Sequence, residues 1–205
     1  LGTISSLLNF VSQDIMVFLT PFYLQRVIHY SPDKIGLLMT CFPLAVMAVA
    51  PFSGTFSDRL GTREPAAAGA ALCAAALAAM AFLPVSASAF TIGWRLAFFG
   101  LGTGMFQSPN NSAVMGSVPR PHLGIASGIL GTARNTGMAM GIVLAGLILY
   151  SVVPPSVIVQ ERLSGLEAVY FLGGLKYAYL FGAGLSVLAV IFSLMQTKRT
   201  QIDKG

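Results

Sequence analysis

Long apolar stretches separated by short polar turns are the dominant pattern along this chain. None of them alternates polar and apolar residues with the period of two that a half-buried strand requires. A helix needs about 20 mostly apolar residues to cross the hydrocarbon layer of a bilayer, and it satisfies its own backbone hydrogen bonds there. The pattern therefore predicts membrane-spanning helices. The predicted spans cover residues 4–27, 34–56, 65–85, 91–115, 124–150 and 175–196.

The composition excludes an ordinary soluble protein. Of the 205 residues, 55% are apolar and only 9% are charged, whereas a soluble domain is roughly 25% charged. So few charges cannot solvate the surface of a protein of this size, and lipid is the expected solvent. We therefore predict an all-α integral membrane protein, with six transmembrane helices in one bundle over residues 1–196 and a cytoplasmic tail over 197–205.

The basic residues indicate the orientation of the chain. The net charge is +5, but no basic cluster with interleaved aromatic residues is present, so nucleic acid is not an expected partner. Six spans place both termini on one side, and that side has more basic residues than the other. By the positive-inside rule we expect a multi-pass protein of the cell (inner or plasma) membrane with both termini in the cytoplasm. The terminal side holds Arg59, Arg63, Arg120, Lys198, Arg199 and Lys204, and the opposite side holds Arg26, Lys34, Arg162 and Lys176.

The first span carries an acidic residue, Asp14, close to the expected centre of the bilayer. A charge at that depth costs about 2.5–3.5 kcal/mol, so such residues are functional candidates. Ser6, Asn9, Gln13 and Thr20 share one face of this helix, and Asp14 lies beside that face. Asp14 is either a carboxylate that titrates protons or attracts cations, or the structural partner of an arginine from another helix.

The fifth span carries a basic residue, Arg134, about ten residues from its start. In a cavity it would hold an anionic group or pair with a carboxylate. In a structural role its guanidinium would reach the interface or bind backbone carbonyls. Both interpretations remain open from the sequence.

One face of the fourth span carries two small residues followed by two polar ones. Gly100, Gly104, Gln107 and Asn111 fall on that face. Glycines let a neighbouring helix approach closely, whereas amides need hydrogen-bond partners or water. We expect this helix to meet a neighbour at one end and to open onto a polar cavity at the other.

The fifth span is also rich in glycine. Gly124, Gly128 and Gly131 share one face, and Gly137 and Gly141 follow at a spacing of four. This spacing is typical of tightly packed membrane helices, so we expect Gly128, Gly137 and Gly141 to pack against a neighbour.

Catalytic chemistry has little support in the sequence. His29 and His122 lie in loops predicted on opposite sides of the membrane, and no cluster has metal-ligand spacing. Cys41 and Cys73 lie within apolar runs and are expected to be buried thiols. We predict that the protein is not an enzyme and that it uses no metal or cofactor.

A charged segment between the second and third spans carries a recognisable motif. It resembles the loop motif of the major facilitator superfamily, Gly-x-x-x-Asp-Arg-x-Gly followed by two basic residues. Thr62 replaces the first basic residue of the final pair. The resemblance implies a gating role for the matching residues Gly54, Asp58, Arg59, Gly61 and Arg63.

Further stretches narrow the resemblance to one family. Residues 102–113, 124–128 and 133–137 are similar to the fourteen-helix drug:proton antiporters, as is Pro21-Phe22-Tyr23-Leu24-Gln25. The resemblance implies that the chain is the C-terminal six-helix bundle of a longer transporter, with the N-terminal helical half as its partner. It also implies alternating access, in which two bundles rock around a site at the membrane midplane.

We therefore hypothesise proton-coupled efflux of amphipathic or cationic drugs, with the bilayer, a small-molecule substrate and protons as the other partners. The expected substrate and proton pathway consists of Asn9, Gln13, Asp14, Gln107, Asn111 and Arg134. One alternative is a transporter of the same superfamily for a sugar, peptide, siderophore or lipid. Another is a truncated membrane fragment that transports nothing.

Overall fold

The computed structural model describes residues 1–196, without the side chains of Phe56, Asp58, Arg59 and Leu60. Every regular element in that range is helical. The predicted tail over residues 197–205 lies outside the described residues. The elements are α1 (Gly2–Arg26), α2 (Pro32–Met39), α3 (Cys41–Leu60), α4 (Arg63–Ala81), α5 (Ala89–Gly116), a 3₁₀ turn (Arg120–His122), α6 (Leu123–Val152), α7 (Pro155–Ile158) and α8 (Leu166–Leu194).

Five helical stretches in the described chain are long and apolar enough to cross a membrane. They cover residues 2–26, 32–55, 63–81, 120–152 and 166–194. The 28-residue helix α5 does not belong to this group. Arg95 in its first half and the polar run from Gln107 to Ser112 in its second half lower its hydropathy.

Four predicted spans match α1, α4, α5 and α6, with ends that differ by one to four residues. The second predicted span, residues 34–56, differs because it is interrupted at Thr40 between α2 and α3. Pro43 has no N–H to donate to the carbonyl of Met39, which accounts for the irregularity. The helical path nevertheless continues, since Thr40 N donates to Gly36 O and Leu44 N donates to Thr40 O, each at 3.1 Å.

The segment Gly54–Glu64, expected as a charged loop, is mostly helical. Helix α3 continues to Leu60, and α4 begins at Arg63, so the connection is only two residues long. Gly61 ends α3 with φ +88°, a conformation that favours glycine, and its N–H donates to Ser57 O at 2.9 Å. Gly61 is the first residue in this segment whose backbone leaves the helical conformation, so α3 continues to Leu60.

The last long helix, α8, begins at Leu166 rather than at the predicted residue 175. Gly165 precedes it with φ +56°, and Glu167 stands in its first turn, where a negative charge stabilises a helix. The Glu167 carboxylate also accepts a 2.8 Å hydrogen bond from Gln160 Nε2. Lys176, expected at the start of this span, therefore lies farther inside the helix, and its Nζ is 5.1 Å from the ring centre of Phe82.

The helices pack in an order that differs from their order along the chain. α3 packs on α5, α5 on α4, α4 on α8, α8 on α1, and α1 on α6, and α1 also contacts α5. The main apolar core lies between α1, α4, α5 and α8, and includes Ile15, Leu19, Leu77, Leu96 and Tyr179. Helices α3 and α6 therefore lie at the edges of the bundle.

One end of the bundle brings the first and the last described residues together. Asn110 Nδ2 donates to Gly2 O at 3.1 Å, and Gln196 Nε2 donates to Asn110 Oδ1 at 3.1 Å. We refer to this as the terminal end. At the opposite end Tyr23 OH donates to Pro84 O at 2.7 Å, and the end of α1 contacts the α7 region through Arg26 Nη1 and Ile158 O at 2.7 Å.

Candidate functional site

Two glutamines predicted for the substrate pathway meet between α1 and α5. Gln107 Nε2 donates to Gln13 Oε1 at 3.2 Å, and both side chains are partly exposed. Each glutamine therefore satisfies part of the hydrogen-bonding capacity of the other. The pair joins α1 to α5.

Asn9, a third member of the predicted pathway, lies in the interior of the bundle instead. It is fully buried, and its Nδ2 lies 3.8 Å from Cys73 Sγ of α4. Its Oδ1 has no hydrogen-bond partner among the described residues. The predicted polar face of α1 thus points toward several neighbours, and Asn9 does not line an open cavity.

Asp14 lies where α1 crosses α6. Its side chain is 6% exposed, and a Cβ placed on Gly141 would lie 2.8 Å from Asp14 Cβ. Its Oδ2 is buried and has no hydrogen-bond partner among the described residues. Of the two interpretations left open by the sequence, the arginine pair is not formed within the part of the chain that the structure describes.

Arg134 of α6 contacts α1 close to the same crossing. Its guanidinium carbon lies 5.1 Å from the ring centre of Phe10, a cation–π contact with α1. Arg134 remains exposed, and none of the described side chains or backbone groups provides it with a hydrogen bond or ion pair. The backbone carbonyls considered as partners of a structural arginine are therefore not bound by Arg134 in the described chain.

A cavity of about 290 Å³ opens between α1, α5 and α6, and we call it the α1–α5–α6 cavity. Arg134 and Asn111 line it, so the structure brings these two predicted residues together. The other lining residues are Phe10, Met115, Ser127, Leu130 and Gly131.

Asn110 is an organising residue that the sequence analysis did not single out. It is fully buried, and its Nδ2 donates to Ser6 Oγ at 2.6 Å in addition to Gly2 O. Together with the bond from Gln196, it joins α1, α5 and the chain after α8. Its neighbour Asn111 was chosen from the helical face that carries Gly104 and Gln107. A helical wheel places Asn110 about 100° away, on a face that looked apolar apart from Thr103.

The glycines of α5 provide close contacts to two neighbours. A Cβ on Gly100 would collide with Phe42 O, and one on Gly104 would lie 3.0 Å from Val46 O, both in α3. A Cβ on Gly102 would lie 2.8 Å from Cys73 N in α4. The face with Gly100, Gly104, Gln107 and Asn111 therefore packs at its N-terminal end and opens at its C-terminal end.

The glycines of α6 divide into two groups. At Gly137 a Cβ would lie 2.9 Å from Leu7 O, and at Gly141 it would lie 2.6 Å from Val11 O, so α1 and α6 touch backbone to backbone. Gly128, expected to pack in the same way, has no heavy atom within 4 Å of its Cβ position, and the same is true of Gly124 and Gly131. The expectation for Gly128 is corrected because the first turns of α6 face open space beside the cavity.

The motif residues lie on the last turns of α3 and the start of α4. Gly54, Asp58 and Arg59 belong to α3, Gly61 makes the turn, and Arg63 is the first residue of α4. At Gly54 a Cβ would lie 3.2 Å from Ser108 Oγ of α5, so this glycine allows α3 to approach α5.

A second cavity, of about 390 Å³, lies between α3, α4 and α5 next to the motif. Its lining is apolar apart from Ser53 and Glu64, and the Ser53 hydroxyl donates to Met105 O at 3.0 Å. This cavity provides van der Waals surface with little directional bonding.

In the part of the chain that the structure describes, no group of three or more His, Cys, Asp or Glu residues is placed to hold a metal ion. Cys41 and Cys73 are both free thiols, and Cys73 is buried.

Comparison with known proteins identifies relatives over most of this chain. It is 40% identical over 149 residues to the uncharacterized transporter YebQ of Escherichia coli strain K12, a match that covers 73% of this chain and 33% of YebQ. It is 34% identical over 140 residues to the riboflavin transporter RibZ of Clostridioides difficile, covering 68% of this chain and 31% of RibZ. It is 32% identical over 134 residues to the multidrug resistance protein Stp of Mycobacterium tuberculosis, covering 65% and 25%.

These matches extend over about a quarter to a third of the length of the relatives. A family model described as Major Facilitator Superfamily matches residues 2–204, nearly the whole chain. YebQ and RibZ are named as transporters, which together with the family indicates a transporter rather than an enzyme. Together with the long apolar helices, these matches show that the chain belongs to the Major Facilitator Superfamily of multi-pass membrane transporters.

Proposed function

We propose that this chain is part of a secondary active transporter that exports amphipathic or cationic drugs in exchange for protons by alternating access. The observation that carries the proposal is the cavity between α3, α4 and α5, whose lining is apolar apart from Ser53 and Glu64. A ligand in such a cavity has to satisfy few directional bonds, which suits a broad range of amphipathic compounds. The similarity to Stp, named as a multidrug resistance protein, also supports drug export.

The test is transport by the full-length protein in sealed vesicles with an imposed proton gradient. We expect the gradient to drive the movement of the amphipathic cations ethidium and tetraphenylphosphonium against their concentration difference. A protonophore should abolish that movement. Transport that continues unchanged after the gradient has collapsed would contradict proton coupling.

We further propose that α2 and α3 together form one crossing and that α5 forms another, which gives six crossings with both termini in the cytoplasm. Six crossings would form the C-terminal half of the transporter, and the N-terminal half would cover α3 and α6. Large apolar side chains support this: Leu44, Met47 and Phe52 of α3 and Leu147 of α6 are all at least 60% exposed. The greater length of the relatives supports it as well.

Asp14 is the proposed proton carrier within this chain. Asp14 Oδ2 is buried without a hydrogen-bond partner in the described chain, an environment that differs from one in which a cation or water contacts the carboxylate. Movement at the crossing of α1 and α6 would change which of these environments surrounds Asp14. The carboxylate would thereby bind a proton in one state of the transporter and release it in another.

Substitution of Asp14 tests this role. We expect Asp14→Asn to abolish the dependence of ethidium export on the proton gradient, because an amide cannot titrate. The matched control is Asp33→Asn, which removes an exposed acidic residue in the first turn of α2 and should leave the dependence intact. An Asp14→Asn protein with normal gradient dependence would exclude Asp14 from the coupling mechanism.

The motif residues Gly54, Asp58, Arg59, Gly61 and Arg63 are proposed to form the cytoplasmic gate. Their place at the end of α3 and the start of α4 supports this role, because charged groups at helix ends can form contacts that break when the helices separate. We expect Arg59→Ala to slow export of ethidium severalfold, and Arg162→Ala, in the connection before α8, to leave it unchanged. Equal rates for wild type and Arg59→Ala would contradict the gate.

A second candidate function is transport of a different solute, and the similarity to the riboflavin transporter RibZ favours it. The same vesicles can be tested with riboflavin and with a sugar, peptide, siderophore and lipid. Transport of one of these solutes, without any transport of ethidium, would replace drug export by this alternative.

A further inference from the structure

We propose that the α1–α5–α6 cavity is a subsite for a carboxylate group on an aromatic, amphipathic substrate, with Arg134 as the residue that binds the carboxylate. This inference rests on the proposed transport function and specifies the chemistry of one part of the transported compound.

The first reason is the free-energy cost of placing the Arg134 charge inside a membrane. Arg134 lies eleven residues after the start of α6, or about 17 Å along the helix at the usual rise per residue. A charged group deep in a membrane is costly unless a partner compensates it. Among the described residues its contact is the ring of Phe10, which touches a face of the guanidinium and leaves its N–H donors unused.

The lining of the cavity is the second reason. Its volume of about 290 Å³ is near the lower limit of small-molecule sites. Phe10, Met115 and Leu130 provide apolar surface for a ring system, and Asn111 and Ser127 provide polar groups beside Arg134. The open space at the Cβ position of Gly131 contributes to the room for a ligand.

Charge selects the ligand class. Arg134 is the only ionisable residue among those lining this cavity in the described chain. A cation placed here would therefore meet a like charge, whereas a carboxylate would meet a planar donor that can bind both of its oxygens. Arg134 thus gives this cavity a preference for anionic ligands. Asp14, one turn after Phe10 on α1, has the opposite charge and cannot provide that preference.

The same guanidinium chemistry could instead bind the phosphate of an anionic lipid, so the experiment includes both sources. The probes are naphthoate, its uncharged methyl ester and naphthylmethylammonium, which share one ring system and differ in charge. Binding to the full-length protein is measured in vesicles of phosphatidylcholine alone and in vesicles that also contain phosphatidylglycerol. The variants are Arg134→Gln, Arg134→Lys and the control Arg162→Gln, which removes the same charge from an exposed position.

We expect wild type to bind naphthoate more tightly than the ester or the ammonium compound, and Arg134→Gln to weaken naphthoate binding at least about tenfold, or about 1.4 kcal/mol. Arg134→Lys should retain part of that binding, because it keeps the charge but loses the planar fork. Arg162→Gln should leave all three affinities unchanged. Unchanged binding of the ester will show that the Arg134 variants are folded.

Three results would overturn the proposal. One is naphthoate binding that is equal in wild type and Arg134→Gln. Another is an equal loss of ester binding in an Arg134→Gln protein that unfolds at the same temperature as wild type, which would indicate ring burial without charge recognition. The third is loss of naphthoate binding in vesicles with phosphatidylglycerol, which would identify a lipid phosphate as the occupant. Gradient-driven ethidium movement in the same vesicles reports separately on the proposed transport function, so the two ideas can fail independently.

Discussion

Helix α1 has two very different interfaces, and the contrast between them indicates which part of the bundle is built to move. Toward α8 its hydroxyl groups form specific hydrogen bonds: Ser5 Oγ donates to Ala189 O at 3.1 Å, and Ser12 Oγ donates to Gly182 O at 3.0 Å. Toward α6 the contact consists of backbone packed against Gly137 and Gly141, with no side-chain hydrogen bond between the two helices in the described chain.

The difference has a physical consequence. A hydrogen-bonded interface loses directional bonds when its helices shift, and inside a membrane water does not replace them. A glycine interface is held by close van der Waals contact and can be exchanged for another packing with less loss. The α1–α8 interface therefore fits a fixed part of the bundle, and the α1–α6 interface fits a sliding or opening one. Asp14 and Arg134, the two charged candidates, both lie at the second interface.

The largest expected effect comes from filling the α1–α6 interface. In Gly141→Ala the new methyl group would lie 2.6 Å from Val11 O, so the helices must separate, and we expect a loss of about 1–3 kcal/mol of stability. Thermal unfolding in detergent measures this loss. The matched control is Gly146→Ala on the same helix, where nothing lies within 4 Å and alanine should be neutral or slightly stabilising. Equal unfolding temperatures for the two variants would show that the close contact is not required.

A somewhat smaller effect is expected from breaking the terminal end, where α1 is fixed. Asn110→Leu keeps the number of heavy side-chain atoms and the branch at Cγ but removes the hydrogen bonds to Ser6, Gly2 and Gln196. At about 0.6 kcal/mol for each bond inside a membrane, the expected loss is about 2 kcal/mol. The neighbouring Asn111→Leu changes the same chemistry at an exposed position and should cost much less. If Asn111→Leu destabilised the protein as much as Asn110→Leu, the hydrogen bonds of Asn110 would not be what stabilises the terminal end.

The smallest effect measures one bond of the α1–α8 interface by itself. Thr20 Oγ1 and Tyr179 OH are 3.0 Å apart and buried, and Thr20 also donates to Met16 O. A double-mutant cycle with Thr20→Val and Tyr179→Phe should give a coupling energy of about 0.6 kcal/mol in unfolding. A coupling of zero would mean that this hydroxyl pair does not fix α8 on α1.

Several features of the fold could be predicted from local sequence. Apolar length and low charge predicted helices over α1, α4, α5 and α6, since the bilayer requires both properties. The ends of α3 and α8 were less accurate. A charged segment such as Ser57-Asp58-Arg59 was predicted as a loop because of its polarity, but the helix continues until Gly61, where the backbone adopts φ +88°. At α8, residues 166–174 were assigned to the connection before the span, but the helix begins at Leu166.

A helical membrane protein of the Major Facilitator type could be predicted from local sequence, because hydropathy and a short motif are properties of consecutive residues. The sequence also identified Asp14 and Arg134 as candidates, because a charge within an apolar run is visible without any partner. The helix that each polar residue faces became visible only in the packed bundle. A period of 3.6 residues fixes relative directions on one helix but not the neighbour in each direction. Asn9 therefore points to Cys73, Gly128 faces open space, and Asn110 joins three segments that are distant in sequence.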